Sequence, residues 1–397
     1  MRCFEKPPKI WVGGSVSPIR SCITIIAWGF VGFFVLSFGG CSRSSTVNSI
    51  VETLPPAPAF QLDSVPEPPL FKSKFLVLTH SRYLFYNLAK EIAAYHQAPL
   101  IFINDNTFDQ ITAKLKYVDP EYAIVVLPPF LITPDLVGNL FKCFCSLNSD
   151  VYPDVQFGYI TGYTIDDARS LFYRDQQDTA ALDKFLGVSH LYPGGEWVKS
   201  YLSNFADRFR ASGWYGDTAI MDMESGADNV AGELKKFATN QVIFFIGHGG
   251  PDNICDISAS DLANVDLTGD VVLSGACSTG ATYEDGAPGD SEYIALRILK
   301  QGACVYESRV VLNGWGSWPA VSVLDGSGTW GEAVNDGIKA EMQQFNEDTL
   351  NILSWQQVSQ EYPTGNFPFI NETARIIPFG DPSFKPRLKS PVFITLP

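Results

Sequence analysis

Short apolar runs recur through the chain and are separated by segments of helical periodicity, and this alternation is its strongest constraint on fold. The runs are FLVLTH, PLIFIND, YAIVVLPP, VQFGYITG, VIFFIGHG, DVVLSGAC and ACVYESRVVL, spread between Phe75 and Leu312. Between them lie segments such as YLFYNLAKEIAAYH and SEYIALRILKQ, in which apolar residues return every three to four positions. Apolar runs without a polar face belong to strands covered on both sides, and intervening helices supply the cover. The pattern therefore predicts an α/β protein whose mostly parallel sheet carries helices on both faces. In such sheets ligand chemistry gathers at the carboxyl ends of the strands.

Composition narrows the class. At 397 residues, 46% hydrophobic and 18% charged, the chain can bury a sizeable core, and its formal net charge of -15, with no Lys/Arg-rich run, argues against a nucleic-acid binder, which needs a basic face. No nucleic-acid partner is expected.

The N-terminal stretch reads differently. Arg2, Lys6, Lys9 and Arg20 precede the apolar run CITIIAWGFVGFFVLSF, which has the character of an export signal. GGC and SRSSTVNS follow, and they resemble the lipobox of bacterial lipoproteins, with Cys41 as the acylated residue and Phe38 in place of the usual aliphatic residue. The alternative is an uncleaved single-span anchor. Both place the rest of the chain outside the cytoplasm, tethered to a membrane of a bacterial cell envelope. The expected organisation is a signal over 1–41, a Ser/Pro-rich linker over 42–72 and an α/β domain over 73–390, divisible at 170 into two subdomains.

Setting aside Cys3, Cys22 and Cys41 leaves Cys143, Cys145, Cys255, Cys277 and Cys304, an odd set that keeps at least one thiol out of disulfides. No spacing among them suggests zinc, and no HExxH is present.

Four histidines remain as candidate bases. His96 ends a helical segment and His190 lies in a loop before LYPGGEW, so both read as surface or packing residues. His80 ends the first strand, without supporting neighbours. His248 directly follows an apolar strand and is flanked by Gly247, Gly249 and Gly250, which let backbone approach a ligand and expose its N–H groups.

VVLSGACSTGA repeats that design, with Cys277 at the tip of an apolar strand. If the two strands are neighbours, imidazole and thiol emerge at one sheet edge. A thiol becomes a useful nucleophile once an imidazole takes its proton or stabilises its thiolate. The backbone N–H groups of Gly249 and Cys277 would face the oxyanion. HGGP also occurs in the oxyanion loop of lipases, but that fold requires a histidine after the nucleophile, and none follows Cys277. Cys143 and Cys145, in LFKCFCSL, lack a glycine turn.

A hydrophobic strand ending in His-Gly, followed by another ending in Ala-Cys 29 residues later, resembles the clan of cysteine peptidases that includes caspases, legumains and gingipains. The resemblance implies a caspase-like three-layer α/β/α sandwich, with His248 as catalytic histidine, Cys277 as nucleophile and Gly249 as oxyanion donor. PFGDPSF, Pro378 to Phe384, is similar to a segment of the gingipain branch, with Asp381 read as structural. By the same likeness NGWGSW follows the strand that helps form the specificity pocket, so Trp315 and Trp318 are candidate substrate-binding residues.

GYITGYTIDDA reads as a strand, a turn and a helix capped by Thr164, with a structural role. Asp252, Asp256, Asp261 and Asp266 could serve calcium, which some relatives bind, but they form no ligand loop and read as a solvated acidic face. No metal or organic cofactor is expected.

The functional expectation is a membrane-tethered, exported cysteine endopeptidase that works through a Cys-His dyad and an acyl-enzyme on protein or peptide substrates. The alternatives are a non-catalytic binding or assembly lipoprotein of the same fold and a transpeptidase using the same dyad.

Overall fold

The computed structural model describes residues 65–174, 181–190, 196–221, 227–282, 292–310, 324–326, 328–346 and 376–392. All belong to one compact unit, Pro56–Pro397. The first half alternates regularly: β1 (Phe75–Thr79), α1 (Phe85–His96), β2 (Leu100–Phe102), α2 (Phe108–Val118), β3 (Tyr122–Val126), α3 (Pro134–Phe144), β4 (Gln156–Ile160) and α4 (Ile165–Arg174). The second half continues with β5 (Lys184–His190), α5 (Glu196–Ala211), β6 (Tyr215–Met221), α6 (Ala227–Leu234) and β7 (Val242–Phe245). Three two-residue strands follow, β8 (Gly249–Gly250), β9 (Asn253–Ile254) and β10 (Ile257–Ser258). The chain then forms β11 (Val271–Ser274), α7 (Ile294–Lys300), β12 (Val305–Arg309), α8 (Trp330–Asn346) and β13 (Ile376–Phe379).

A ten-stranded sheet in the order β2-β1-β3-β4-β13-β12-β11-β7-β5-β6 forms the middle layer of a three-layer α/β/α sandwich. Pairings are parallel within β2-β1-β3-β4 and within β12-β11-β7-β5-β6. β13 joins the two groups, antiparallel to β12 and meeting β4 at one register pair, Phe379↔Tyr159. β3, β7, β11 and β12 are buried along their whole lengths, as strands covered on both faces must be. On the helical layers α4 packs against both α1 and α7, while α2 packs against α3.

Local signals set the helix boundaries. Thr107 and Gln110 form a reciprocal capping box at the start of α2, and Thr133 caps α3 ahead of Pro134. Thr164 Oγ1 accepts from the Asp167 N–H (3.1 Å) while Asp167 Oδ2 accepts from the Thr164 N–H (3.0 Å), so GYITGYTIDDA is the capped strand-turn-helix expected of it. At the sheet edge, Glu67 accepts from the Phe102 N–H (2.9 Å) and pairs with Lys114, so the described end of the Pro-rich spacer covers edge strand β2.

All seven apolar runs form strands, but β5, β6 and β13 lie outside those runs. KFLGVSH is broken by Gly187, where a Cβ would sit 3.0 Å from Leu202 Cδ2, a tight contact to which the leucine side chain would have to yield. Gly216 in β6 is required, since a Cβ would stand 2.5 Å from the Ala206 backbone carbonyl. Glycines at helix contacts therefore interrupt the apolar pattern of β5 and β6. β13 contains Pro378, which removes a ladder donor.

Candidate active site

β7 and β11 are adjacent and parallel, with Ser274 opposite Phe245, and the Gly275 N–H extends the ladder onto the Phe245 carbonyl (2.8 Å). After each strand the candidate residue follows three positions on, so His248 and Cys277 emerge at the same sheet edge. Thr282 Oγ1 donates to the Pro129 carbonyl (2.8 Å) just past β3, so the strand ends of both halves open there.

Contact between the two turns is close. A Cβ on Gly249 would stand 2.5 Å from Thr279 Cγ2, 3.0 Å from Ala276 Cβ and 3.2 Å from the Cys277 carbonyl oxygen. Only glycine lets these strand tips meet. Gly249 faces Ile254 across β8 and β9, and the neighbouring Cys255 N–H donates to the His248 carbonyl (2.9 Å). That bond flanks a non-hydrogen-bonded pair, so the Gly249 N–H points away from β9, toward the open edge of the small sheet.

The thiol turn is held from below by hydroxyls. Thr279 Oγ1 lies 2.8 Å from Ser274 Oγ and 2.5 Å from Ser308 Oγ, and Tyr306 Oη donates to the Thr279 carbonyl (3.0 Å). The Ala276 N–H donates to Ser274 Oγ (3.2 Å), and Ser278 takes a left-handed φ of 51°. These bonds join β11, the turn and β12 into one buried network under Cys277.

No disulfide joins the described cysteines, and Cys277 is half-exposed while Cys143, Cys145, Cys255 and Cys304 are buried. Burial pushes the Cys143 thiol up to about 11 and raises Cys255 further, opposite to what a nucleophile needs. His248 is exposed beside the turn.

The other histidines fall into different settings. His80 follows β1, accepts the Arg82 N–H at Nδ1 (3.3 Å) and lies against Tyr83; burial and Arg82 lower its pKa. His96, the last residue of α1, is half-buried, stacks on Phe75 and bonds Asp381 Oδ2 through Nε2 (3.0 Å). Asp381 Oδ1 also accepts from the Ser383 N–H and Oγ (both 2.7 Å), which gives PFGDPSF its structural role.

His190 corrects the sequence reading. It is not in a loop: it is the last residue of β5, 4% exposed, and its ring stacks on that of His248 at a centroid distance of 5.3 Å. β5 is the other neighbour of β7, which the sequence did not reveal because Gly187 and Ser189 mask its apolar pattern. The legible signal was a histidine at the end of FLGVSH, shortly before a glycine pair, as at His248.

Among the described residues no group of three or more His, Cys, Asp or Glu side chains could hold a metal ion. Asp261 accepts from Ser258 (2.8 Å to its N–H) and Asp266 from the Thr268 N–H (3.0 Å), so both carboxylates serve local turns. Trp315, Trp318 and Cys41 lie outside the described residues.

No protein-family model matches the sequence, and no curated protein matches it. Among solved structures the chain is similar to the Arg-specific cysteine proteinase gingipain R (RgpB), with 13% identity, 84% and 83% of the two chains covered and a TM-score of 0.52. The fold is that of gingipain R. The complex of Porphyromonas gingivalis RgpB pro- and mature domains aligns with 14% identity, 82% of each chain covered and a TM-score of 0.56. A third structure, described as a protease, aligns with 14% identity, 79% and 78% coverage and a TM-score of 0.54.

Proposed function

We propose that this chain is an exported, membrane-tethered cysteine endopeptidase. The observation that carries the reading is the in-register parallel pairing of β7 with β11, which brings the His248 and Cys277 turns to one edge with Gly249 packed against the Cys277 carbonyl. In the proposed reaction His248 accepts the thiol proton and Cys277 Sγ attacks the scissile carbonyl. The oxyanion accepts hydrogen bonds from the N–H groups of Gly249 and Cys277. His248 then donates its proton to the leaving amine, and water hydrolyses the acyl-enzyme with His248 again as base.

This thiol–imidazole chemistry calls on no metal or organic cofactor, and the substrate is a protein or peptide. Trp315 and Trp318 are proposed walls of its pocket, and Cys41 is the proposed site of lipid attachment at the bacterial cell envelope.

Full-length protein in detergent, incubated with a diverse peptide library and read by mass spectrometry, should produce discrete cleavages that Cys277→Ala abolishes. Products joined to an added amine in place of water would identify transpeptidation. The absence of any product from the parent would reject turnover and leave the binding lipoprotein.

A further inference from the structure

We infer that His190 is a positioning residue for the His248 imidazole, a neutral aromatic face on which the base is held and on which its protonated form is stabilised. The inference rests on the peptidase reading of His248 and Cys277 and adds to it a residue on a third strand.

Register explains how the rings meet. Val188 in β5 lies opposite Phe245 in β7, so two residues later His190 and Gly247 stand side by side. A Cβ on Gly247 would reach 3.4 Å from His190 Cε1, 3.5 Å from its Nδ1 and 3.1 Å from Cys255 Sγ. Because the side chain there is a single hydrogen, the His190 ring reaches under His248. The two rings stack at 5.3 Å with 23° between their planes, within the range of favourable aromatic pairs.

The charge state follows from the surroundings. His248, Cys255 and Asp256 are titratable groups that lie against His190. The Cys255 and Asp256 backbones both take left-handed φ, 50° and 63°, and the turn they make sets Asp256 Oδ2 3.9 Å from His190 Nδ1. Burial lowers the His190 pKa, the Asp256 carboxylate opposes that, and charge on His248 lowers it further. Its burial and the neighbouring His248 charge thus favour the neutral form of His190 when His248 carries the proton taken from Cys277. A neutral π face attracts a cation stacked on it, whereas a second imidazolium would repel it. Protonating His190 therefore works against the thiolate–imidazolium pair.

The test uses the full-length chain with two readouts: the pH profile of kcat/KM on a cleaved peptide, and the rate of Cys277 alkylation by iodoacetamide against pH, mapped by mass spectrometry. His190→Ala should lower kcat about tenfold to hundredfold with KM changed less than about twofold, the scale of a general base losing its orientation. His190→Phe should restore most of that loss and move the acid limb of both profiles to lower pH, because Phe takes up no proton. Asp256→Asn should move the acid limb the same way, because His190 becomes harder to protonate. If His190→Ala does not fold, the Phe and Asn variants carry the test.

An Ala variant with the parent's kcat and alkylation profile would overturn the assignment, as would a folded Phe variant as slow as Ala with its acid limb unmoved. A parent that cleaves no peptide, yet whose Cys277 alkylation depends on both His248 and His190, would reject the peptidase reading alone. A parent that cleaves while His190→Ala matches it would reject the positioning role alone.

Discussion

Asp270, just before β11, is 4% exposed, and its Oδ2 has no hydrogen-bond partner among the described residues. Burial pushes its pKa up to about 8, and the nearby Asp266 carboxylate adds to the rise. The folded chain therefore keeps a proton that the unfolded chain has released. Stability from this group is present below its ordinary value of 3.8 and is lost as pH rises through about 8. Asp270→Asn should raise Tm by several degrees at pH 8 and change little at pH 4, a difference that thermal unfolding at the two values would reveal. The histidines contribute the opposite slope. His80 and His190 are lowered from 6.5, so the unfolded chain binds protons that the folded one refuses, and their contribution falls as pH drops below that value. His248 and Cys277 were readable as candidate residues because each stands at the tip of an apolar strand beside small residues. His190 was not, because its significance is a ring contact with His248, far along the chain.

The element that most directly supports the site is the thiol turn with its hydroxyl network. Thr279 Oγ1 bridges Ser274 on β11 and Ser308 on β12, so one side chain ties two strands to the loop between them. Thr279→Val keeps the shape and removes the bridge. Weakening buried hydrogen bonds in this way costs about 1–3 kcal/mol. The variant should melt several degrees lower and lose more kcat than KM, since the turn sets the place of the Cys277 Sγ and N–H; thermal unfolding and steady-state kinetics on the same preparation would check both. An unchanged Tm would show that the hydroxyls do not hold the turn. At this scale the sequence was informative wherever a strand is covered on both faces, as in β3, β7 and β11, because burial demands an unbroken apolar run. It was silent where glycine or proline answers to a neighbouring element. Gly187 makes room for Leu202, Gly216 for the Ala206 carbonyl, and Pro378 interrupts the β13 ladder, so all three strands lack the pattern that announces the others.

Across the whole molecule, the sheet joins the two groups of parallel strands through β13 and carries the site at the ends of β7 and β11, while His96 and Asp381 close the contact between α1 and the segment after β13. Among the described residues no helix is long and apolar enough to cross a membrane, and the apolar run Cys22–Phe38 lies outside them. If that run is a signal ending at an acylated Cys41, cells grown with a labelled fatty acid should yield labelled protein, and Cys41→Ala should be unlabelled and retain its leader. A labelled Cys41→Ala protein would place the lipid elsewhere, and an unlabelled parent with its N-terminus intact would establish the single-span anchor. The α/β class, the helix capped by Thr164 and the candidate residues at the tips of β7 and β11 were legible in the linear chain because each depends on residues within a few positions of one another. Strand order, the union of both halves through β13, the approach of Gly249 to Cys277 and the stacking of His190 on His248 were not. They are contacts between segments distant in sequence, and a sheet selects such partners by how faces, small residues and helices pack together, a choice no local pattern encodes.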